Sequence, residues 1–365
     1  MATDLRGLRV AQVLGTSTGG IGRHVRALVP ALLARGARVA VLGPAATDEL
    51  FGFAAAGARF AAVEIPAGPG PADARAVARL RRLLRGADMV HAHGLRAGLL
   101  AGLARGDAAP ALVVTWHNRV LGGRARRAAY LLLERRVARR ADVTLGASPD
   151  LVAHARALGA PDARFAPVAA PALPPPRRSA EQVRAELGAA DRPLVLAVGR
   201  LHPQKGFDTL VTAATRWTRR SPPPLVAIAG DGPSRAVLDG MIAASRAPVR
   251  LLGRRDDVAD LLAAAAVVVL PSVWEARPLV AQEALRAGRP LVATAVGGVP
   301  ELVRDAAVLV PPADTDALSD AVTRLLDDPV AARALGDCGA ARTAGWPDEE
   351  DTAEQVAAVY RELCR

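Results

Sequence analysis

The sequence predicts an α/β protein made of two Rossmann-like, doubly wound domains. Three observations carry that prediction. Short apolar runs alternate with helical periodicity along the whole chain, the mark of parallel strands joined by crossover helices. A proline-dense stretch without periodicity, residues 166–179 (APVAAPALPPPRRS), separates two such series. The chain has 365 residues, enough for two cores of ordinary size.

In the first series the apolar runs are Val10–Leu14, Val39–Leu42, Phe60–Ile65, Met89–Ala92, Leu112–Thr115 and Val143–Leu145. A first helix reaches Arg35, with Gly36 suited to its C-terminal cap. Further helical segments fall near 48–57, 72–85, 95–105 and 122–140. The loop GTSTGGIG (15–22) follows the first strand, and its glycines, Gly20 among them, let backbone N–H groups approach an anion at a helix N-terminus. It is not a GxGxxG loop, and no acid follows the second strand in the dinucleotide manner, which disfavours NAD.

The second series restarts the scheme with Leu194–Val198, Leu225–Ala229, Val249–Leu252, Val267–Leu270, Leu291–Ala295 and Val308–Val310. The expected domains are residues 1–172 and 173–346, facing an inter-domain cleft, a favoured ligand location. The tail 347–365 reads as an acidic, then amphipathic helix. Val356, Val359, Tyr360 and Leu363 on one face should dock it back on the first domain.

Apolar residues make up 51% of the chain, so it should fold rather than stay disordered. The longest apolar run, Leu261–Leu270, falls short of the ~20 residues a membrane span needs. The N-terminus, MATDLRGLRVAQVLG, carries an acid and enters a strand directly, unlike a signal or transit peptide. Cys338 and Cys364 offer neither a disulfide framework nor metal spacing. The expected location is cytoplasmic, with room for peripheral contact at the inner membrane face.

Charge is unevenly spread. Residues 1–172 hold 24 Arg against 11 acids, whereas 173–365 hold 22 Arg, one Lys and 25 acids. The basic half suits an anionic partner. An Arg-rich solvated surface is the equal alternative. Nucleic acid is disfavoured, because aromatics for stacking are only 3% of the chain and no recognition motif is present. An anionic or lipid-linked partner fits better. Residues 122–140, with seven Arg around Ala128–Leu133, suit an anionic leaflet or an ordinary buried-face helix with snorkelling arginines. Among 47 basic side chains only Lys205 is lysine, either by chance or because its position needs a compact ammonium.

The most informative stretch is 267–303, VVVLPSVWEARPLVAQEALRAGRPLVATAVGGVPELV. It reads strand, loop, helix, strand, loop, helix, with acids placed where strands end, the ligand side of an open α/β sheet. Pro278 suits a first helical turn. Glu275 then lies in the loop before that helix, and Glu283 about one and a half turns inside it.

Four segments in order, VGRLHPQKGFDTLV (198–211), AGDGP (229–233), LLGRRDDVADLL (251–262) and the stretch from Pro271 to Val303, resemble the retaining nucleotide-sugar glycosyltransferases of family four. Weaker matches are GGIGRHV (19–25), VHAHG (90–94) and TWHN (115–118). The resemblance covers essentially the full chain and implies the GT-B fold. It implies that Arg200 and Lys205, in G-R-x4-K-G, neutralise a donor diphosphate. Glu275 and Glu283, in E-x7-E, would contact the sugar and the ribose hydroxyls respectively. By the same resemblance Gly230, Gly253, Arg254, Leu279 and Val280 lie on the donor, Gly20 brings a backbone amide to diphosphate or acceptor, and His117 lies near the reacting sugar. His24, His91 and His93 match motif positions, with core or capping roles expected.

Two departures from the family stand out. Ala276-Arg277 replaces the usual Gly-Phe, narrowing the space beside the sugar and adding a cation that suits an acidic partner. Pro167–Pro171 replaces the usual hinge segment. The expected function is a metal-independent hexosyl transfer, without cofactor, from a nucleotide diphosphate sugar to an unidentified acceptor. The alternatives are an inactive nucleotide-sugar-binding protein, or a phosphorylase or epimerase on the same fold.

Overall fold

A computed structural model describes residues 3–105 and 110–364, without the side chains of residues 125 and 126. Met1 and Arg365, at the ends of the expected first domain and tail, lie outside the described residues, as does the side chain of Arg126, one of the seven arginines counted in 122–140. The chain divides into two compact units: Met1–Ala169 with Pro347–Arg365, and Ala170–Trp346. The first unit thus leaves the body at Ala169 rather than at 172.

The first unit runs β1 (Arg9–Leu14), α1 (Gly20–Ala34), β2 (Arg38–Gly43), α2 (Ala45–Phe51), β3 (Arg59–Ala62), α3 (Ala72–Leu83), β4 (Met89–His93), α4 (Leu95–Arg105), β5 (Ala111–Trp116), α5 (Arg124–Arg140), β6 (Val143–Gly146), α6 (Pro149–Ala157) and β7 (Ala163–Phe165). Among the described residues its seven strands pair in parallel, in the order β3-β2-β1-β4-β5-β6-β7. Central strands such as β1 beyond Arg9 and β4 are buried, and the polar residues they carry, Gln12, His91 and His93, are buried with their apolar neighbours.

The second unit runs α7 (Ala180–Glu186), β8 (Leu194–Val198), α8 (Phe207–Ala214), β9 (Leu225–Ala229), α9 (Arg235–Ser245), β10 (Val249–Gly253), α10 (Val258–Ala264), β11 (Val267–Leu270), α11 (Leu279–Arg286), β12 (Leu291–Thr294), α12 (Val299–Val303), β13 (Val308–Val310), α13 (Thr315–Asp327) and α14 (Pro329–Thr343). Its six parallel strands follow the order β10-β9-β8-β11-β12-β13. In each sheet the order reverses beside the first strand: between β1 and β4, and between β8 and β11. These are the switch points where doubly wound sheets open a crevice at their carboxyl ends.

The last helix, α15 (Glu349–Leu363), belongs to the first unit. Val356, Val359 and Tyr360 are buried in one cluster with Val25, Leu28 and Leu32 of α1, and Leu363 packs at its edge. Each large side chain buried this way is worth roughly 1.5–3 kcal/mol. Polar contacts fix the docking: the buried Arg35 guanidinium donates to Glu350 at 2.5 Å and to Glu354 at 2.9 Å.

Four local expectations need correction. The helix expected at 48–57 is α2 (Ala45–Phe51), because Pro44 leads into it and left-handed Gly52 ends it, returning its N–H to Asp48. The strand expected at Phe60–Ile65 is β3, Arg59–Ala62; Val63 and Ile65 are buried beyond its end. The edge strand β7 and helices α6 and α7 had no counterpart in the pattern of apolar runs. Pro278 stands in extended conformation one residue before α11, rather than in its first turn.

Candidate active site

In the second unit the loops after β8, β9, β10, β11 and β12 knit together at the carboxyl edge of the sheet. Backbone hydrogen bonds run from Leu201 N–H to Asp231, from Gly230 N–H to Gly253, from Val273 N–H to Gln204 and from Gly298 N–H to Glu275, at 2.7–3.0 Å. Such close approach leaves no room for some side chains. Gly206 has φ +61°, and a Cβ there would lie 2.0 Å from the Pro271 carbonyl oxygen. Gly297 has φ +52°, and its Cβ would lie 2.0 Å from the Glu275 carbonyl oxygen. Only glycine meets both constraints without strain.

These contacts place two charged side chains opposite each other at the β8/β11 switch point. His202 Nδ1 accepts the Gln204 N–H at 3.2 Å and starts a 3-10 turn, Pro203–Lys205. That turn presents Lys205, whose Nζ donates to Glu275 Oε1 at 2.5 Å. The same oxygen accepts from the Ser272 hydroxyl at 2.8 Å. Glu275 is buried, and the Gln204 side chain holds the adjoining Trp274 carbonyl at 2.8 Å. Glu283 lies buried on α11, with Val280 buried and Leu279 half-buried in its first turn.

Of the remaining donor-side residues, Arg200 is exposed at the end of β8 and Arg254 is exposed after β10, 3.8 Å from Asp256. Gly253 closes β10, and Gly230 follows β9. Ala276 is buried. Arg277 is half-buried over the Trp346 ring, 5.2 Å from its centroid, and its Nε is buried with no partner. Burial, then Arg286 and Arg342, pulls its guanidinium down to about 10. The cation expected to face a partner thus packs within its own unit. Asp314 caps α13 through Ala317 N–H, and Asp316 pairs with Arg216.

In the first unit Gly20 is exposed and opens α1, whose first turn carries no acid. His117 follows β5 and joins a buried group at the β1/β4 switch point. Parallel register sets Gln12 beside His91, Leu14 beside His93, and His93 beside Thr115. Gln12 Nε2 donates to the Tyr360 hydroxyl at 2.9 Å, and its Oε1 accepts from His93 Nε2 at 2.7 Å. The Tyr360 hydroxyl donates onward to His91 Nδ1, and His91 Nε2 donates to Thr115 Oγ1, each at 2.6 Å. His93 Nδ1 is left facing His117 Nε2 at 3.3 Å, with His24 edge-on to both rings. Burial holds His24 at about 4, and burial with repulsion from His24 holds His91 at about 3. Burial and the neighbouring imidazoles hold His93 and His117 well below their ordinary value.

Core or cap roles are expected of His24, His91 and His93 one by one; the fold joins them with His117. Gln12 lies in no motif, Thr115 only opens TWHN, and Tyr360 is expected on the docking face of the tail rather than beside the histidines. Ser272 was visible only as the break after an apolar run.

Two family models match the chain: the glycosyl transferase 4-like domain over residues 19–171, and glycosyl transferases group 1 over residues 192–328. The architecture and the paired matches define a GT-B glycosyltransferase fold. The chain belongs to the group 1 glycosyl transferases. It is 36% identical over 188 residues to an alpha-D-kanosaminyltransferase of Streptomyces kanamyceticus, a match covering 50% of this chain and 49% of that protein. The chain spans about half the length of the curated relatives it matches. Among solved structures, sucrose-phosphate synthase of Thermosynechococcus elongatus superposes with a TM-score of 0.79 at 25% identity, over 98% of this chain and 99% of that one. Anabaena Alr3699/HepE, solved with UDP, has the same fold at a TM-score of 0.82 and 20% identity, over 97% and 100% of the two chains.

Proposed function

We propose that the protein is a retaining glycosyltransferase that moves a hexose-type sugar from a nucleotide diphosphate sugar to an acceptor, without metal or other cofactor. The observation that carries this reading is the Lys205–Glu275 pair at the β8/β11 switch point, with Glu283 on the helix that follows. The names of the similar kanosaminyltransferase and sucrose-phosphate synthase support a transferase acting on sugars.

In this reading Lys205 and the exposed Arg200 meet the diphosphate, whose leaving-group charge is the main electrostatic demand of the step. Glu275 and Glu283 supply carboxylate oxygens that accept hydrogen bonds from sugar and ribose hydroxyls. Gly230, Gly253, Arg254, Leu279 and Val280 line the nucleotide side, Gly20 offers an amide at the start of α1, and His117 lies by the reacting sugar. The leaving phosphate helps deprotonate the acceptor on the same face, so no separate base is required.

The acceptor in this proposal is anionic or lipid-linked, met by the basic first unit, and the protein works in the cytoplasm. No helix among the described residues is long and apolar enough to cross a membrane. On α5, however, Leu131 and Leu132 are 38% and 68% exposed beside exposed Arg127, Arg135 and Arg136. An exposed apolar pair among arginines supports peripheral contact with an anionic membrane surface.

A thermal-shift panel of UDP-, GDP- and ADP-sugars, followed by anomer assignment of the product by NMR, tests the reading. A ligand that binds only the folded chain raises its apparent stability. No shift with any nucleotide sugar, or a product of inverted configuration, would count against it.

A further inference from the structure

We infer that His24, His93 and His117 form a binding site for a divalent transition metal, with Zn2+ the best match. One ligating nitrogen from each of the three lies within 4.8 Å of the other two. The side chains come from α1, the end of β4 and the residue after β5. Zn–N bonds of 2.0–2.1 Å in a tetrahedron put neighbouring nitrogens about 3.3–3.4 Å apart. His93 Nδ1 and His117 Nε2 already stand at 3.3 Å.

The surroundings suit ligation. A ligating histidine normally donates its other N–H to a fixed acceptor, which sets the tautomer and aims the lone pair. Gln12 does this for His93: its Oε1 takes the Nε2 proton, and its own amide is pinned by Tyr360. His93 Nδ1 therefore keeps its lone pair on the side of His117. Burial favours the neutral imidazole, the form that binds metal. His24 and His117 remain 7% and 8% exposed, so the group is not sealed from solvent. Three imidazoles select Zn, Cu, Fe or Ni rather than Mg or Ca, and leave a fourth position for water or another oxygen.

The site shares His117 with the chemistry proposed above, which itself needs no metal. If His117 also touches the reacting sugar, Zn2+ inhibits transfer by occupying its nitrogen. That consequence alone rests on the transferase reading, and metal binding does not.

The test is titration of Zn2+ into chelator-treated full-length protein by calorimetry, with Co2+ as a spectroscopic probe. One equivalent should bind, and His24→Ala and His117→Ala should each weaken it about tenfold or more, while His154→Ala leaves it unchanged. Binding that survives both variants, or no saturable uptake, overturns the site. Should the alanine variants fail to fold, the Co2+ spectrum of the wild-type protein decides. Four-coordinate, nitrogen-ligated bands support the site, and the spectrum of the hydrated ion overturns it. Inhibition without binding loss in the variants also overturns it, since the inhibiting ion would then sit elsewhere.

Discussion

Lys205 Nζ and Glu275 Oε1 are 2.5 Å apart, although seventy positions separate them in the chain. They meet because β8 and β11 are neighbours across the switch point, so the loop that leaves one strand faces the loop that leaves the other. The pair leaves a cation and a carboxylate at one crevice, where a diphosphate and a sugar would need one each. Replacing Glu275 with Gln should lower transfer about 10²–10³-fold, on the scale of removing one preorganised polar group. Lys205→Arg should not restore activity to Lys205→Met, because a planar fork does not fit the place of a compact ammonium. Steady-state kinetics with the donor found by thermal shift decide both, and full activity of Glu275→Gln would sink the assigned role.

Glu283→Ala should act on donor affinity. Hydrogen bonds to a charged acceptor are worth about 1.5–3 kcal/mol, so KM for the donor should rise roughly 10- to 150-fold with kcat little changed. A loss confined to kcat would remove the ribose contact from the proposal.

Gly297→Ala should cost stability and activity together. The new Cβ meets the Glu275 carbonyl oxygen at 2.0 Å, and the residue must also hold a left-handed φ. Left-handed backbone alone costs a non-glycine residue on the order of 1–3 kcal/mol. Chemical denaturation should show a loss at least that large, and Gly19→Ala, whose Cβ meets nothing within 4 Å, should show almost none.

The tail should loosen in acid. Burial pushes the Glu354 carboxyl up, but the Thr3 hydroxyl and N–H and the Arg35 guanidinium outweigh it and hold it at about 2. A folded value below the unfolded one stabilises the fold above the unfolded value, and that contribution is lost as pH falls. The window runs from about 4.5 down to about 2. Glu354→Gln should flatten the pH dependence of α15 hydrogen exchange across it, and an unchanged profile would show that Arg35 and Thr3 do not hold this carboxylate.

Full-length protein should co-sediment with anionic vesicles and not with neutral ones, and Leu131→Ser with Leu132→Ser should weaken it several-fold. Equal recovery on both lipids would dispose of the membrane contact.

Much of this architecture is legible in the amino-acid order. VVVL before Pro271 and LVLAV before Gly199 announce strands covered on both faces, and E-x7-E with G-R-x4-K-G mark the loops that carry charge. The elements absent from the apolar pattern carry local signals that are short. The box of Ser179 and Gln182 starts α7, Ser148-Pro149 starts α6, and β7 is three residues with no apolar run.

The sequence by itself determined the two doubly wound units and the glutamates and lysine at their strand ends, because strand burial and helix periodicity are written into neighbouring residues. Only the tertiary structure decided that Gln12, His24, His93, His117 and Tyr360 belong to one group. Gln12 and Tyr360 bond across 348 positions, and no local period links residues on β1, α1, β4 and α15. Their meeting depends on strand order, on parallel register and on the docking of the last helix, which emerge only when the chain packs.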